Sequence, residues 1–124
     1  MALTLTVKQL QADNAANIFE LLTREWYARH ISDKSESHKE RVARLFEKDI
    51  FPYLGSKPIT DIKPVDLLNT VRRIEARNAI ETAHRALQLC GQVFRYAVAT
   101  GRIDRDITPD LRGSLSQVKA GIIG

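Results

Sequence analysis

Apolar and polar positions recur at helical spacing through most of the chain. Ile18, Leu21, Leu22, Glu25 and Trp26 fall at i, i+3, i+4, i+7 and i+8, an apolar stripe with one acid in it. This predicts a first helix over 18–30 with Asn17 as its N-cap. A polar turn follows. Val42, Leu45, Phe46 and Ile50 then give the buried face of a second helix over 37–51. Ser35 or Ser37 can cap it, and Ser37 with Glu40 has the spacing of a capping box. Pro52 is expected to end this helix and Gly55 to turn the chain. A third helix is predicted over 64–77, with Pro64 in its first turn and Asp66 complementing the helix dipole. Leu67, Leu68, Val71 and Ile74 form its apolar side, and Asn78 can stop it. A fourth helix is predicted over 80–100, buried through Ala83, Leu87, Cys90, Phe94, Ala97 and Val98. Gly91 in its middle costs about 1 kcal/mol against alanine, which calls for the close approach of another helix. Gly101 is the expected C′ residue. Thr108, Pro109 and Asp110 suggest a cap, a first turn and a dipole charge for a short fifth helix near Leu111.

These elements leave no strand–helix alternation and no internal repeat. The fold class is therefore all-α: a small bundle of four main helices plus a short C-terminal helix. Residues 1–16 are expected to be a flexible arm or upstream linker, 17–115 the helical domain, and 116–124 the start of an interdomain linker.

At 124 residues the chain is long enough to close one core. A composition of 44% hydrophobic and 27% charged residues is ordinary for a globular protein. No stretch approaches the roughly 20 apolar residues of a membrane span. The opening MALTLTVKQLQ lacks the pattern of a secretory signal. The expectation is a cytoplasmic protein with no membrane partner. The single cysteine, Cys90, makes no internal disulfide possible and sits at a core position, as a buried inert thiol. The net charge of +4 permits an anionic partner without requiring one.

The polar side of the fourth helix carries more information. His84, Gln88, Gln92 and Arg95 follow one another at i+4, i+4 and i+3, flanked by Thr82 and Arg85. Arginine can pair bidentately with guanine, glutamine with adenine, and threonine can serve phosphate or base. On the second helix His38, Lys39, Arg41 and Arg44 are the candidates. There five acids (Asp33, Glu36, Glu40, Glu47, Asp49) offset five bases (Lys34, Lys39, Arg41, Arg44, Lys48). A polar helix face is most often simply solvated, so neither face alone decides the function.

Three stretches taken in order change that balance. FELLTREWYARH is followed by HKERVARLFEKDIFPYLGSKPITDIKPVDLLNTVRRIEARNAIETAHR, and then by QVFRYAVATGRIDRDITPDLRGSL. Together they resemble the core-binding domain of tyrosine recombinases, and more narrowly that of prophage-type integrases. The resemblance rests on a Glu-Trp pair in the first helix, a Phe-Pro-x-Leu-Gly turn and a Pro-Ile step. An Asp-Leu-Leu helix, an Ile-Glu-x-Arg exit and the closing segment complete it. It implies an orthogonal, SAM-like bundle that forms one jaw of a clamp around the core recombination site. The second and fourth helices are implied to face double-stranded DNA, on the nucleoid of a bacterial host. The family acts as an oligomer on DNA.

The family's reaction uses a tyrosine nucleophile supported by arginine, lysine and histidine. The resemblance implies that those residues lie in a separate catalytic domain, which would be the chain's other partner. No catalytic residue is therefore expected here. His38 and Arg41 make a His-x-x-Arg pair by chance. Tyr27, Tyr53 and Tyr96 stand beside apolar residues, where packing with a polar tip is the ordinary role. No zinc spacing, phosphate loop or Ser-His-Asp order appears, so no metal and no cofactor is expected. The alternative function is a helical adaptor bundle that binds protein and not DNA.

Overall fold

The computed structural model describes residues 16–117. The predicted arm up to residue 15 and the end of the predicted linker from 118 lie outside them. Four helices appear in the predicted order: α1 (Phe19–His30), α2 (Glu36–Leu45), α3 (Pro64–Glu75) and α4 (Ile80–Ala99). Beyond α2 the chain continues without a break as wide, π-type turns over Phe46–Gly55. Two short 3₁₀ turns, Ile59–Asp61 and Thr108–Leu111, complete the fold. The only extended pairing among the described residues is an isolated bridge between Ile18 and Pro58. The all-α expectation holds.

The helices meet around one core. Trp26 on α1 packs edge-on against Phe46, with ring centroids 6.0 Å apart. Phe19 meets Phe94 of α4 at 5.9 Å. Leu67, Val71 and Ile74 of α3 are fully buried beneath α4. As expected from its spacing, α2 buries Val42 and Leu45, and the turns after it bury Phe46 and Ile50. Cys90 is fully buried, and burial pushes its thiol up to about 12. It cannot act as a thiolate near neutral pH.

Several local expectations are corrected. The buried stripe of α1 is Phe19, Leu22, Thr23 and Trp26, while Leu21 stands exposed. Asn17 does not cap α1 through its side chain. Its carbonyl instead accepts from the Ile59 amide at 2.8 Å, and the Phe19 amide donates to the Lys57 carbonyl at 2.9 Å. This short backbone pairing sets where α1 begins. Ser35, not Ser37, caps α2 by accepting from the His38 amide at 3.2 Å. Pro52 does not end the helix. Its ring would collide with the carbonyl four residues back in a regular α-helix, and the wider turns carry the chain through it. Gly55 is needed for space. A Cβ there would lie 3.0 Å from the Phe51 Cβ and 3.2 Å from Glu20 Oε1 of α1. On α3, Asp66 does more than meet the dipole, since its carboxylate accepts from the Lys63 amide at 3.0 Å. Asn78 stops the chain after α3 with a φ of 63°, and Gly101 follows α4 with a φ of 78°.

On α4, Val98 is exposed and Leu87 only partly buried, while Ala86, Leu89 and Val93 join the core. The approach that Gly91 permits comes from the closing 3₁₀ turn and not from another helix. A Cβ at 91 would meet Thr108 Oγ1 at 3.1 Å. Thr108 is itself no cap. Asp106 caps the turn, accepting from the Thr108 amide at 2.8 Å and from its hydroxyl at 2.6 Å.

The acid in the α1 stripe has a partner. Glu25 accepts from both terminal nitrogens of Arg102, at 2.9 and 3.0 Å, and from the Tyr96 hydroxyl. The bonds from Arg102, then that from Tyr96, hold the Glu25 carboxyl below its ordinary range. A lowered folded-state pKa stabilises the fold above the unfolded carboxylate value of about 4.3. That contribution is lost as pH falls through the folded value. Glu25→Gln is therefore expected to weaken the fold by about 1 kcal/mol at pH 7, the ordinary scale for a solvent-accessible pair. It should also remove part of the decline below pH 4. Urea midpoints taken across pH check both.

Thr23 offers the opposite case. Its hydroxyl is buried with no hydrogen-bond partner, between Tyr27, Phe46 and Phe51 at an apolar cleft. Thr23→Val keeps the shape and removes the unpaired group. A gain of about 1 kcal/mol in urea denaturation is expected.

Candidate nucleic-acid interface

The outer faces of α2 and α4 form the two walls of a groove. Two adjoining hollows of about 620 Å³ each run along it and share Arg41 and Arg85. One hollow is lined by Arg41, Arg44, Lys48, Arg77, Thr82 and Arg85, among others. The other has Lys34, His38, Arg41, Arg85, Gln88 and Gln92 on its walls. Helical periodicity explains the pairing. Arg41 and Arg44 are three residues apart on α2, with Lys48 four further on in the wide turns that continue it, and Arg85, Gln88 and Gln92 are three and four residues apart on α4.

Most of the cations that line this groove have no acidic partner. Outside it Arg24, Lys39, Lys57, Arg95, Arg102 and Arg105 each form an ion pair with an acid, while Arg29, Lys63, Arg72, Arg73 and Arg112 form none among the described residues. Lys34, Arg41, Arg44, Lys48 and Arg85 form none among the described residues, and all five line the groove. Two acids also line it. Asp49 is neutralised by a bidentate bond from Arg77, at 2.8 and 3.3 Å, while Glu81 stands exposed. The result is a concave strip of unpaired cations, the arrangement that attracts a polyanion.

The ten candidate residues do not all share this strip. Thr82, Arg85, Gln88, Gln92, His38, Arg41 and Arg44 are brought together. Lys39 turns away, pairing with Glu36 at 2.9 Å on a stretch of α2 whose carbonyl accepts from Tyr27 of α1. Arg95 pairs with Asp106 at 3.4 Å. His84 lies 2.6 Å from the Ser116 carbonyl. Both line a separate hollow floored by the closing segment. The polar face of α4 is thus divided, with Gln88 bordering both sides.

The closing segment is strapped to α3 and α4. Leu111 and Leu115 are buried. The Ser116 amide donates to Glu75 of α3 at 2.6 Å, and Arg72 donates to the Ser114 carbonyl at 3.4 Å. So Ser116, the first residue of the expected linker, is bonded to the helical domain.

Sequence reasoning missed Lys34, Arg77 and His30 as groove residues, and had placed Lys48 only on a solvated face. Lys34 and His30 flank a turn, where helical periodicity gives no direction. Arg77 follows α3, and its bond to Asp49 spans 28 positions in sequence. The tyrosines largely keep the roles expected of them. Tyr27 and Tyr96 pack with bonded hydroxyls. Tyr53 instead is exposed, with the Arg73 guanidinium 4.4 Å from its ring centroid. Among the described residues no cluster of three metal-binding side chains occurs, and no helix is long and apolar enough to cross a membrane.

Comparison with known proteins agrees with this architecture. The prophage integrase IntS of Escherichia coli K12 is 38% identical over 109 residues, covering 88% of this chain. The integrases of Shigella phage Sf6 and of Enterobacteria phage P4 are also 38% identical, over 109 and 116 residues. The chain spans 26–28% of the length of these relatives. The solution structure of fragment 87–196 of the E. coli integrase IntS superposes with a TM-score of 0.71 at 34% identity, covering 86% of this chain and 98% of that fragment. The family model of the phage integrase central domain matches residues 19–114. The chain therefore belongs to the phage integrase central-domain family.

Proposed function

We propose that this chain is the DNA-binding core domain of a tyrosine site-specific recombinase. It holds the recombination core site in the α2–α4 groove and presents it to a catalytic domain that is a separate module. The observation that carries this reading is the clustering of unpaired cations: of the six that line the groove, Lys34, Arg41, Arg44, Lys48 and Arg85 form no ion pair among the described residues, and only Arg77 pairs with an acid. An α-helix fits the major groove of B-DNA, and the flanking cations fit the phosphates on either side. The adaptor alternative calls for an apolar or acidic contact face, which this groove is not. Phosphodiester cleavage would belong to the catalytic module, and assembly into an oligomer would occur on the DNA.

Titration of a labelled duplex at low salt tests the reading. Binding is expected to weaken steeply with added salt. The slope of log affinity against log salt should be about −0.9 for each phosphate contacted. Absence of binding to any duplex at low salt, a cognate core site included, would end it.

A further inference from the structure

We propose that Gln88 and Gln92 are the sequence-reading element of the groove, and that they select adenine at two positions along it. This rests on the DNA-binding reading above. Both amides stand on the α4 wall of one hollow, among His38, Arg41 and Arg85. Arg85 and Gln88 are exposed and Gln92 is half-buried. Neither glutamine side chain forms a hydrogen bond among the described residues, in a fold where many polar side chains are engaged. Both are therefore free to bond a ligand.

The chemistry of the amide indicates which ligand. A glutamine head offers one acceptor oxygen and one donor nitrogen side by side. A phosphate presents acceptors only and would leave the amide oxygen unmatched. The major-groove edge of adenine presents a donor at N6 and an acceptor at N7, which matches both. The neighbouring arginines have donors only, and suit phosphates or guanine. Labour in the groove thus divides, with Arg41 and Arg85 supplying attraction and the two amides supplying choice.

Geometry fixes the spacing. Side chains at i and i+4 on a helix stand about 6 Å apart. Stacked base pairs rise about 3.4 Å per step. With α4 along the major groove, the two amides address base pairs about two steps apart.

The test is selection from a pool of randomised duplexes by the intact chain, by Gln88→Ala and by Gln92→Ala. The wild-type chain should enrich adenine at two positions two steps apart. Each variant should lose the preference at one position and keep it at the other. Discrimination at each position should be about 5- to 150-fold. Placing 7-deazaadenine there removes N7 and should weaken wild-type binding, but not binding by the matching variant. The salt slope on unrelated duplex should keep its wild-type value in both variants, because neither amide carries a charge. A wild-type chain that binds duplex with no adenine preference overturns the proposal, as does a preference that survives both substitutions. So does an equal loss across all sequences, which would make the amides phosphate contacts. A chain that binds no duplex at all removes this proposal and the DNA-binding reading together.

Discussion

Reversing two charges, Arg41→Glu with Arg85→Glu, is expected to abolish measurable duplex binding at moderate salt while leaving the fold intact. The two guanidiniums come from opposite walls and border both hollows of the groove. Neither has an acidic partner among the described residues, so each can bond a phosphate. A hydrogen bond to a charged group contributes on the order of 1.5–3 kcal/mol. Losing two should lower affinity by roughly a hundredfold or more. The salt slope should become shallower by about two contacts, near 1.8. Net charge must be separated from position. Each reversal changes the charge by −2, so the pair takes the chain from +4 to 0. Arg24→Glu with Arg105→Glu makes the same change at residues that pair with Glu20 and Asp110 and do not line the groove. Anisotropy titrations at several salt concentrations should show a much smaller loss for this control. Equal losses would mean that bulk charge, not the groove, governs binding.

Two adjacent leucines of α1 should respond in opposite ways to truncation. Leu22 is fully buried, and Leu21 is 49% exposed. Leu22→Ala empties a site in a close-packed core and should cost about 2–5 kcal/mol. Against a total stability of roughly 5–15 kcal/mol for a small domain, that is a large share. Leu21→Ala removes surface contact only and should stay within about 0.5 kcal/mol. Urea denaturation followed by circular dichroism measures both. A large cost at Leu21 would mean that the stripe read from hydrophobicity, and not the observed one, faces the core.

That contrast shows what the sequence could and could not reveal. Four helices and most of their buried residues were legible, because a 3.6-residue period of apolar side chains is a direct trace of one buried face. The phase of α1 was not. Its core stripe includes Thr23 and omits Leu21, and a hydrophobicity pattern ranks those two the other way. Pro52 was misread for a related reason. The rule that proline ends a helix assumes α geometry, and the chain here runs through it in wider turns. At the groove, Arg41, Arg44, Arg85, Gln88 and Gln92 were legible as polar faces of predicted helices. The diversion of Lys39, His84 and Arg95 was not. His84 and Arg95 are claimed by partners that only folding brings near, Ser116 and Asp106, while Lys39 is held by Glu36 three residues before it on α2, a local pairing that periodicity alone does not single out. Arg77 shows the converse, since its place in the groove follows from the meeting of α3 with the turns after α2.

The strap at the end of the described chain has a mechanical consequence. Tension applied beyond Ser116 would enter the fold through Glu75 and His84, and through Arg72 at Ser114. All three belong to the α3–α4 pair, which carries one wall of the groove. The opposite wall, α2, has no hydrogen bond to that segment among the described residues. A pull along the chain would therefore load one wall first, and the width of the groove would act as a gauge of that force.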